Sequence, residues 1–361
     1  MIHLHGENSA ISTTDCWAIE DYTYRRCARP AREFGYAVSL HNHSHHSIEN
    51  MAFLNEVVKL RFMRPFRGLL QSAFGLAAIA DLNYADIFYR SPLTVEDVFL
   101  TESASAAALG FSGVHLGITD HDEVAGSAEL LRAHPDEAHR NPLGEEISIY
   151  FDDYLFHLGV TGMPATGIEQ LHTELQLAAR ERRLDDLFEM LRASESLVVF
   201  NHPLVPWGKD PGRKIPADAL LGRYGWAIHA LEYNGMRSQK ENDRVLELAK
   251  YTGKPVVGGG DSHLLLASSV LSLTHAASYR EFAEEVKAGH AVSLISPTFF
   301  APLSWKIFLR VLYFIAHYRR IGHFRGQPVG ELLSGRTVLL DPVGFASRGF
   351  LSATSALGLP R

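Results

Sequence analysis

The sequence predicts an α/β fold in which seven strands, mostly parallel, close into a barrel that carries an inserted loop or helical segment and a helical C-terminal extension. Two observations carry this expectation and a third permits it. From Tyr36 onward, short apolar or β-branched runs alternate with longer helical stretches, and repeated strand–helix order implies parallel pairing with crossover helices. The strand candidates number seven, which suits a closed barrel better than an open sheet. With 46% hydrophobic and 21% charged residues over 361 positions, the chain can fill a large core, which excludes disorder and a collagen-like fibre.

The strand candidates are Ala37–Leu40, Val114–Thr119, Glu146–Tyr150, Leu155–Val160, Leu197–Phe200, Ala230–Asn234 and Pro255–Val257. The helical candidates are Val95–Leu109, Gly167–Arg192, Gln239–Thr252 and Tyr279–Ala288. Gly253 followed by Pro255 is a normal exit from the third helix into a strand. The expected organisation is an N-terminal extension over 1–35, a barrel over 36–297 interrupted by an insertion at about 48–90, and a C-terminal extension over 298–361. The insertion contains VVKLRFMRPFRGLL, a basic amphipathic patch with Lys59, Arg61, Arg64 and Arg67 split by Pro65. A long connection at the catalytic end of a barrel is a lid or binding loop, or else a solvated excursion with no substrate role. In the C-terminal extension, Trp305–Tyr318 sets Lys306, Arg310, Tyr313 and His317 along one helical face. Such a helix docks on the barrel or a subunit contact, or rests on a membrane surface or anionic partner.

Composition narrows the function classes. Lys and Arg total 34 against 41 Asp and Glu, a formal charge of −7, which argues against a protein that coats nucleic acid over its whole surface. Two cysteines, Cys16 and Cys27, exclude a disulfide framework and a Cys-rich zinc module. MIHLHGENSAIS lacks the basic start and apolar run of a signal peptide, and no stretch reaches the roughly 18 apolar residues of a membrane span, so the expected location is cytoplasmic. The conspicuous surplus is 19 histidines.

Those histidines fall at strand ends. HNHSHHS after the first strand supplies His41 and His43, which point to the same side of an extended chain and can chelate one ion. TDHD after the second supplies His121; Glu146 lies in the third strand and His157 in the fourth; His202 follows the fifth, and GGDSH after the seventh offers Asp261 and His263. Glu232 fills the sixth position, its role open. Singly, each has a plain structural reading: Asn201-His202-Pro203 is a turn, and Gly258-Gly259-Gly260 is a flexible turn sooner than a phosphate loop. Eight His, Asp and Glu residues at corresponding strand ends are another matter, because burying them together without cations is costly. Imidazole and carboxylate without thiolate suit manganese, iron or zinc. No GxSxG elbow occurs, which leaves a Ser-His-Asp hydrolase without its nucleophile motif.

The motif order HxH, TDHD, GxE, HLG, HP and GDSH resembles the polymerase-and-histidinol-phosphatase (PHP) domain family, over roughly Tyr36 to Pro297. The resemblance implies a distorted (βα)7 TIM-like barrel and a metal-dependent phosphoesterase. It implies one metal held by His41, His43, Glu146 and Asp261, and a second held by Glu146, His157 and His202, with Glu146 bridging. A third site would use His121, His263 and an aspartate five residues beyond His43. Ile48 stands at that position and Glu49 follows. Either Glu49 substitutes, another group or water fills in, or the third metal is weak or absent, so two or three divalent ions are expected. A second departure is the Glu145-Glu146 pair: alternation points Glu146 and Ser148 one way and Glu145, Ile147 and Ile149 toward the helices, where Glu145 needs a cationic or hydrogen-bonding partner. A shifted register would make Glu145 the ligand instead.

Two cations about 3.5–4 Å apart can share a water, lower its pKa toward 7 and supply a bridging hydroxide for in-line attack on phosphorus. Glu146 is central to that chemistry, while His121, His263 and a metal-bound water are alternative proton donors to the leaving group. Lys209, Arg213, Lys214 and Arg237 are candidate contacts to substrate phosphate, or else solvated surface charges. The expected substrate is a small phosphorylated metabolite or a nucleotide, as mono- or diester. The alternatives are a nuclease or oligonucleotide phosphatase guided by the basic insertion, and a metal-binding regulatory module with weakened turnover.

Overall fold

The computed structural model describes residues 15–50, 88–90, 93–205, 215–263, 266–302 and 305–306. Lys209, Arg213 and Lys214, most of the expected insertion and the expected C-terminal helix beyond Lys306 lie outside them. The strands are β1 (Trp17–Glu20), β2 (Thr23–Arg26), β3 (Tyr36–Ser39), β4 (Ile48–Asn50), β5 (Phe88–Arg90), β6 (Gly113–Leu116), β7 (Gly144–Phe151), β8 (Tyr154–Thr161), β9 (Leu197–Asn201), β10 (Ala230–Asn234), β11 (Val256–Gly259), β12 (Val270–Thr274) and β13 (Val292–Ile295). The helices are α1 (Pro30–Glu33), α2 (Val95–Ala108), α3 (Ala125–Ala133), α4 (Ile168–Arg180), α5 (Leu184–Ala193), α6 (Ala217–Tyr224), α7 (Gln239–Thr252) and α8 (Tyr279–Lys287).

The strands form two mixed sheets, one ordered β2-β1-β13-β12-β3-β6 and the other β11-β10-β9-β8-β7, with β4 and β5 paired apart. Pairing is parallel at β3–β6 and through β9–β10–β11, as the strand–helix order requires. It is antiparallel at β7–β8 and β8–β9, against the mostly parallel expectation. The cause is local: β7 and β8 are joined by Asp152 and Asp153 alone, both at positive φ (48° and 64°), and a two-residue link can only turn a chain back on its neighbour. Within the first 35 residues, expected outside the alternating pattern, the described part from residue 15 adds β1 and β2 to a sheet edge through β13. Tyr24 there donates to Asp243 Oδ1 at 2.5 Å and lies 3.1 Å from the Tyr233 hydroxyl, fastening the hairpin to α7 and β10.

Among the described residues no continuous ladder joins the two sheets, but backbone contacts do. Beyond the strand ends, Ser262 bridges Asn42, Thr119 N donates to Asn42 O at 2.8 Å, and Glu146 N donates to Asp120 O at 3.0 Å. Within β11, Gly258 N donates to Ser272 Oγ at 2.8 Å, and at the start of that strand Val256 O accepts from Ser293 Oγ at 3.0 Å.

Alternation sorts the second sheet into two faces. Ile147, Ile149, Leu158, Val160, Val198, Phe200, Leu231 and Tyr233 pack with Leu175, Ala178, Leu187, Phe188 and Leu191 of α4 and α5. The opposite face puts Leu197, Val199, Ala230 and Val257 with Val38 and Leu40 of the first sheet. Further along that inner face the residues turn polar: His157, Asn201, Glu232 and Asn234 are all buried. An apolar floor and a polar mouth are thus laid down by the same strands.

Candidate metal centre

Glu146 is the hub. It sits in β7 with its side chain fully buried, and both carboxylate oxygens face imidazoles. His41 Nε2, His202 Nε2 and His157 Nδ1 lie 3.3, 3.3 and 3.5 Å from Oε1; His121 Nδ1 and His43 Nε2 lie 3.1 and 3.4 Å from Oε2. Asn201 Nδ2 donates to Oε1 at 2.8 Å. The Asp261 Oδ1 oxygen approaches His41 and His43 at 3.8 and 3.9 Å and accepts from His263 at 2.6 Å.

These residues come from strands far apart in sequence: His41, His43, His121, His202 and Asp261 follow the ends of β3, β6, β9 and β11, while Glu146 and His157 project from within the antiparallel pair β7–β8 toward the same mouth. His202 sits immediately past β9 and Asp261 two residues past β11, with φ of 28° and 49°, a left-handed region that non-glycine residues seldom adopt. The HNH and GDSH segments are zipped together by His43 N donating to Ser262 O at 2.9 Å and Ser262 N to His41 O at 3.2 Å. Asp120, one residue before His121, accepts from Ser44 N at 2.5 Å and from Ser44 Oγ at 2.7 Å, which locks the loop beyond His43 against the one carrying His121.

Glu232, positioned by the sequence but without a role there, orients His41. Its Oε1 accepts from His41 Nδ1 at 2.5 Å, while Oε2 accepts from His202 N at 2.9 Å and Asn234 Nδ2 at 2.8 Å. Two acidic oxygens occupied in this way favour the Nδ1–H tautomer and turn the Nε2 lone pair toward Glu146 and Asp261. Asn234 also donates to Asp261 Oδ2 at 3.1 Å, so one side chain ties Glu232 to Asp261. The signal was available in ALEYN: period two puts Leu231 and Tyr233 on the core face and Glu232 and Asn234 on the other.

Charge is distributed to match. Burial would raise the Glu146 carboxyl, but His41, His121, His157 and His202 hold it well below the ordinary carboxylate range. Asp261 is likewise held well down against its burial by His263, His41 and His202. Burial pushes the His157 imidazole down to about 3, which keeps its ring neutral at physiological pH.

The donor set fits divalent cations. His41 Nε2 and Glu146 Oε2 are buried and make no hydrogen bond among the described residues, yet each faces donors at distances a shared cation would bridge. Three triads have donor atoms within 4.8 Å of one another: His41–Glu146–His202, His41–His43–Asp261 and His43–His121–Glu146. His157 and His263 belong to none of these triads, although His157 faces Glu146 and His263 is bonded to Asp261. Arg237 reaches the same rim, its guanidinium 4.0 Å from Asp261 Oδ2. Ile48 begins β4, half-buried.

Glu145 faces away, where its buried Oε2 accepts from His172 Nδ1 at 3.0 Å and Gln176 Nε2 at 2.8 Å, both on α4. The register that makes Glu146 the inward residue is therefore the one adopted. The triple glycine is neither a flexible turn nor a phosphate loop: Gly258 and Gly259 lie within β11, and a Cβ on Gly259 would stand 1.7 Å from Glu232 Oε1. No helix among the described residues is long and apolar enough to cross a membrane.

No protein-family model matches the chain, and no curated protein does. Among solved structures, a candidate metal-dependent phosphoesterase from Bifidobacterium adolescentis is similar at 15% identity and a TM-score of 0.40, over 71% of this chain and 96% of its own. An amidohydrolase from Chromobacterium violaceum, with bound sulfate and no metal, is similar at 14% identity and 0.39, over 72% and 98%. A two-domain protein from Bacteroides vulgatus, containing a predicted PHP-like metal-dependent phosphoesterase, is similar at 11% identity and 0.43, over 71% of this chain and 64% of its own. At these scores the residues of the chain itself, and not the likenesses, carry the function.

Proposed function

We propose that the chain is a metal-dependent phosphoesterase that hydrolyses a phosphate mono- or diester of a small metabolite or nucleotide. The observation that carries this reading is the buried Glu146 carboxylate faced by five imidazole nitrogens at 3.1 to 3.5 Å, with Asp261 beside them. The motif order resembling PHP proteins supplies the choice of phosphorus as the centre attacked. The two sheets read together as a distorted (βα)7 barrel: at the mouth, backbone contacts run from the end of β11 through the HNH loop to the segments after β6 and on to β7.

His41, His43, His202, Asp261 and Glu146 would hold two divalent ions of manganese, iron or zinc type, with His157 completing the second site. Such ions, when bound, make water acidic enough to provide hydroxide near neutral pH and neutralise phosphoryl charge. Glu146 holds the two halves of the donor set together, and Glu232 keeps His41 in the tautomer that presents Nε2. Arg237 meets a non-bridging phosphoryl oxygen. His121 and His263, partly exposed at the rim, hold a proton for the ester oxygen released as the P–O bond breaks. The barrel spans about 36–297, and the location is cytoplasmic.

The test is turnover of an aryl phosphate and its diester by the manganese-loaded protein. Hydrolysis that drops at least a hundredfold in Glu146→Gln and Asp261→Asn supports the reading. A folded, metal-loaded protein inert toward both esters contradicts it and favours the regulatory-module alternative. A KM on an oligonucleotide that rises steeply with salt would shift the substrate toward nucleic acid.

A further inference from the structure

The loop that carries the HNH motif continues into two more histidines that the central cluster does not use. His45 and His46 are neighbours in sequence, and an extended chain would point them apart. Here a tight turn, with Ser47 N donating to Ser44 O at 3.1 Å, brings their rings to 4.1 Å between centroids. Both face one carboxylate on α3: Glu129 Oε2 lies 2.9 Å from His46 Nε2 and 3.9 Å from His45 Nε2. All three donor atoms lie within 4.8 Å of one another.

We propose that His45, His46 and Glu129 form a separate divalent-cation site, of the kind zinc or cobalt occupies, that staples the loop after β3 to α3. A hydrogen-bonded pair would need only His46 and Glu129. The second imidazole, 3.9 Å from that oxygen, stands beyond hydrogen-bond reach of it but within the span that a shared cation bridges. A cation about 2.0–2.2 Å from each donor turns the same three groups into a His2Glu set with a fourth position for water. The set contains no thiolate, which excludes a soft ion. Partial exposure of all three side chains, 22%, 24% and 38%, keeps the desolvation cost low and leaves the fourth position accessible. The backbone is already arranged: His45 N donates to Leu93 O at 2.7 Å, and Ser44 is held through both N and Oγ by Asp120. None of the three residues joins the triads around Glu146 and Asp261, so this site stands or falls apart from the phosphoesterase reading.

The experiment strips the full-length protein of metal, reloads it with zinc, and measures bound zinc and the zinc-dependent rise in melting temperature for wild type, His46→Ala and Glu129→Gln. The expected result is one equivalent fewer in each variant and a smaller zinc-dependent rise, with manganese-supported turnover of the aryl phosphate unchanged. Equal zinc content in wild type and both variants, or a loss that also removes the central ions and turnover, overturns the proposal.

Discussion

His41 illustrates how much of this site depends on a single proton. Its Nε2 can accept a cation only if Nδ1 carries the hydrogen, and Glu232 sets that condition while accepting two further donors, His202 N and Asn234 Nδ2. In Glu232→Gln, one arm of the side chain becomes a donor and must face either His41 or the other two. Metal affinity is expected to fall about 10- to 100-fold with the fold retained, as competition with a chromogenic chelator would show. An unchanged affinity would mean that Glu232 does not orient His41. A second residue-scale prediction lies away from the metals. His115 is buried, donates Nε2 to Ala276 O at 2.9 Å, and is pushed down to about 4 chiefly by burial. The unfolded chain binds this proton near 6.5 and the folded one does not, so the stability His115 permits at neutral pH is lost as pH falls from 6.5 toward 4, by about 3 kcal/mol. His115→Gln, which keeps a donor for Ala276, is expected to show a smaller loss in urea midpoint over that range. At this scale the sequence was most legible: strand alternation distinguished Glu146 from Glu145, and the structure gives Glu145 the partners it needed in His172 and Gln176. Those partners were not legible, because they depend on where α4 lands.

Among the elements, β11 couples backbone to chemistry. Gly259 lets Glu232 lie against the strand, and Gly258 lets Leu271 O approach, where a Cβ would stand 2.5 Å away. Gly259→Ala is expected to displace the Glu232 carboxylate, destabilise the fold by about 1–3 kcal/mol and reduce metal affinity together with turnover. Measured ion content and a chemical unfolding curve check both, and an alanine variant with native affinity would show that Glu232 is free to move. Helix α7 matches its expected bounds because Ser238 and Glu241 form a capping box and Gly253, at φ 68°, ends it. The stretch expected as one helix over Gly167–Arg192 is two, α4 and α5, divided at Glu181–Arg183, where Arg182 has φ of 58°. Charged RERR contains no glycine or proline, so the break left no local mark. Strands β12 and β13 escaped for a related reason: they are five and four residues long and owe their place to antiparallel partners distant in sequence.

For the whole molecule, the α/β expectation holds, but the strands form two mixed sheets that no ladder closes among the described residues, and the antiparallel β7–β8–β9 segment and the joining of β1 and β2 through β13 lay beyond a pattern built on strand–helix alternation. Interior polarity follows the same geometry. Val38, Val199 and Val257 fill the floor, and His41, Asn201 and Glu232 crowd the mouth. So many buried imidazoles and carboxylates are costly unless cations share them. Diffraction from crystals soaked in manganese, collected to record its anomalous signal, bears on that most directly. The expected result is at least two peaks enclosed by His41, His43, Glu146, His202 and Asp261, each about 2.0–2.3 Å from its donors. Manganese-soaked crystals with no peak among those side chains would contradict it.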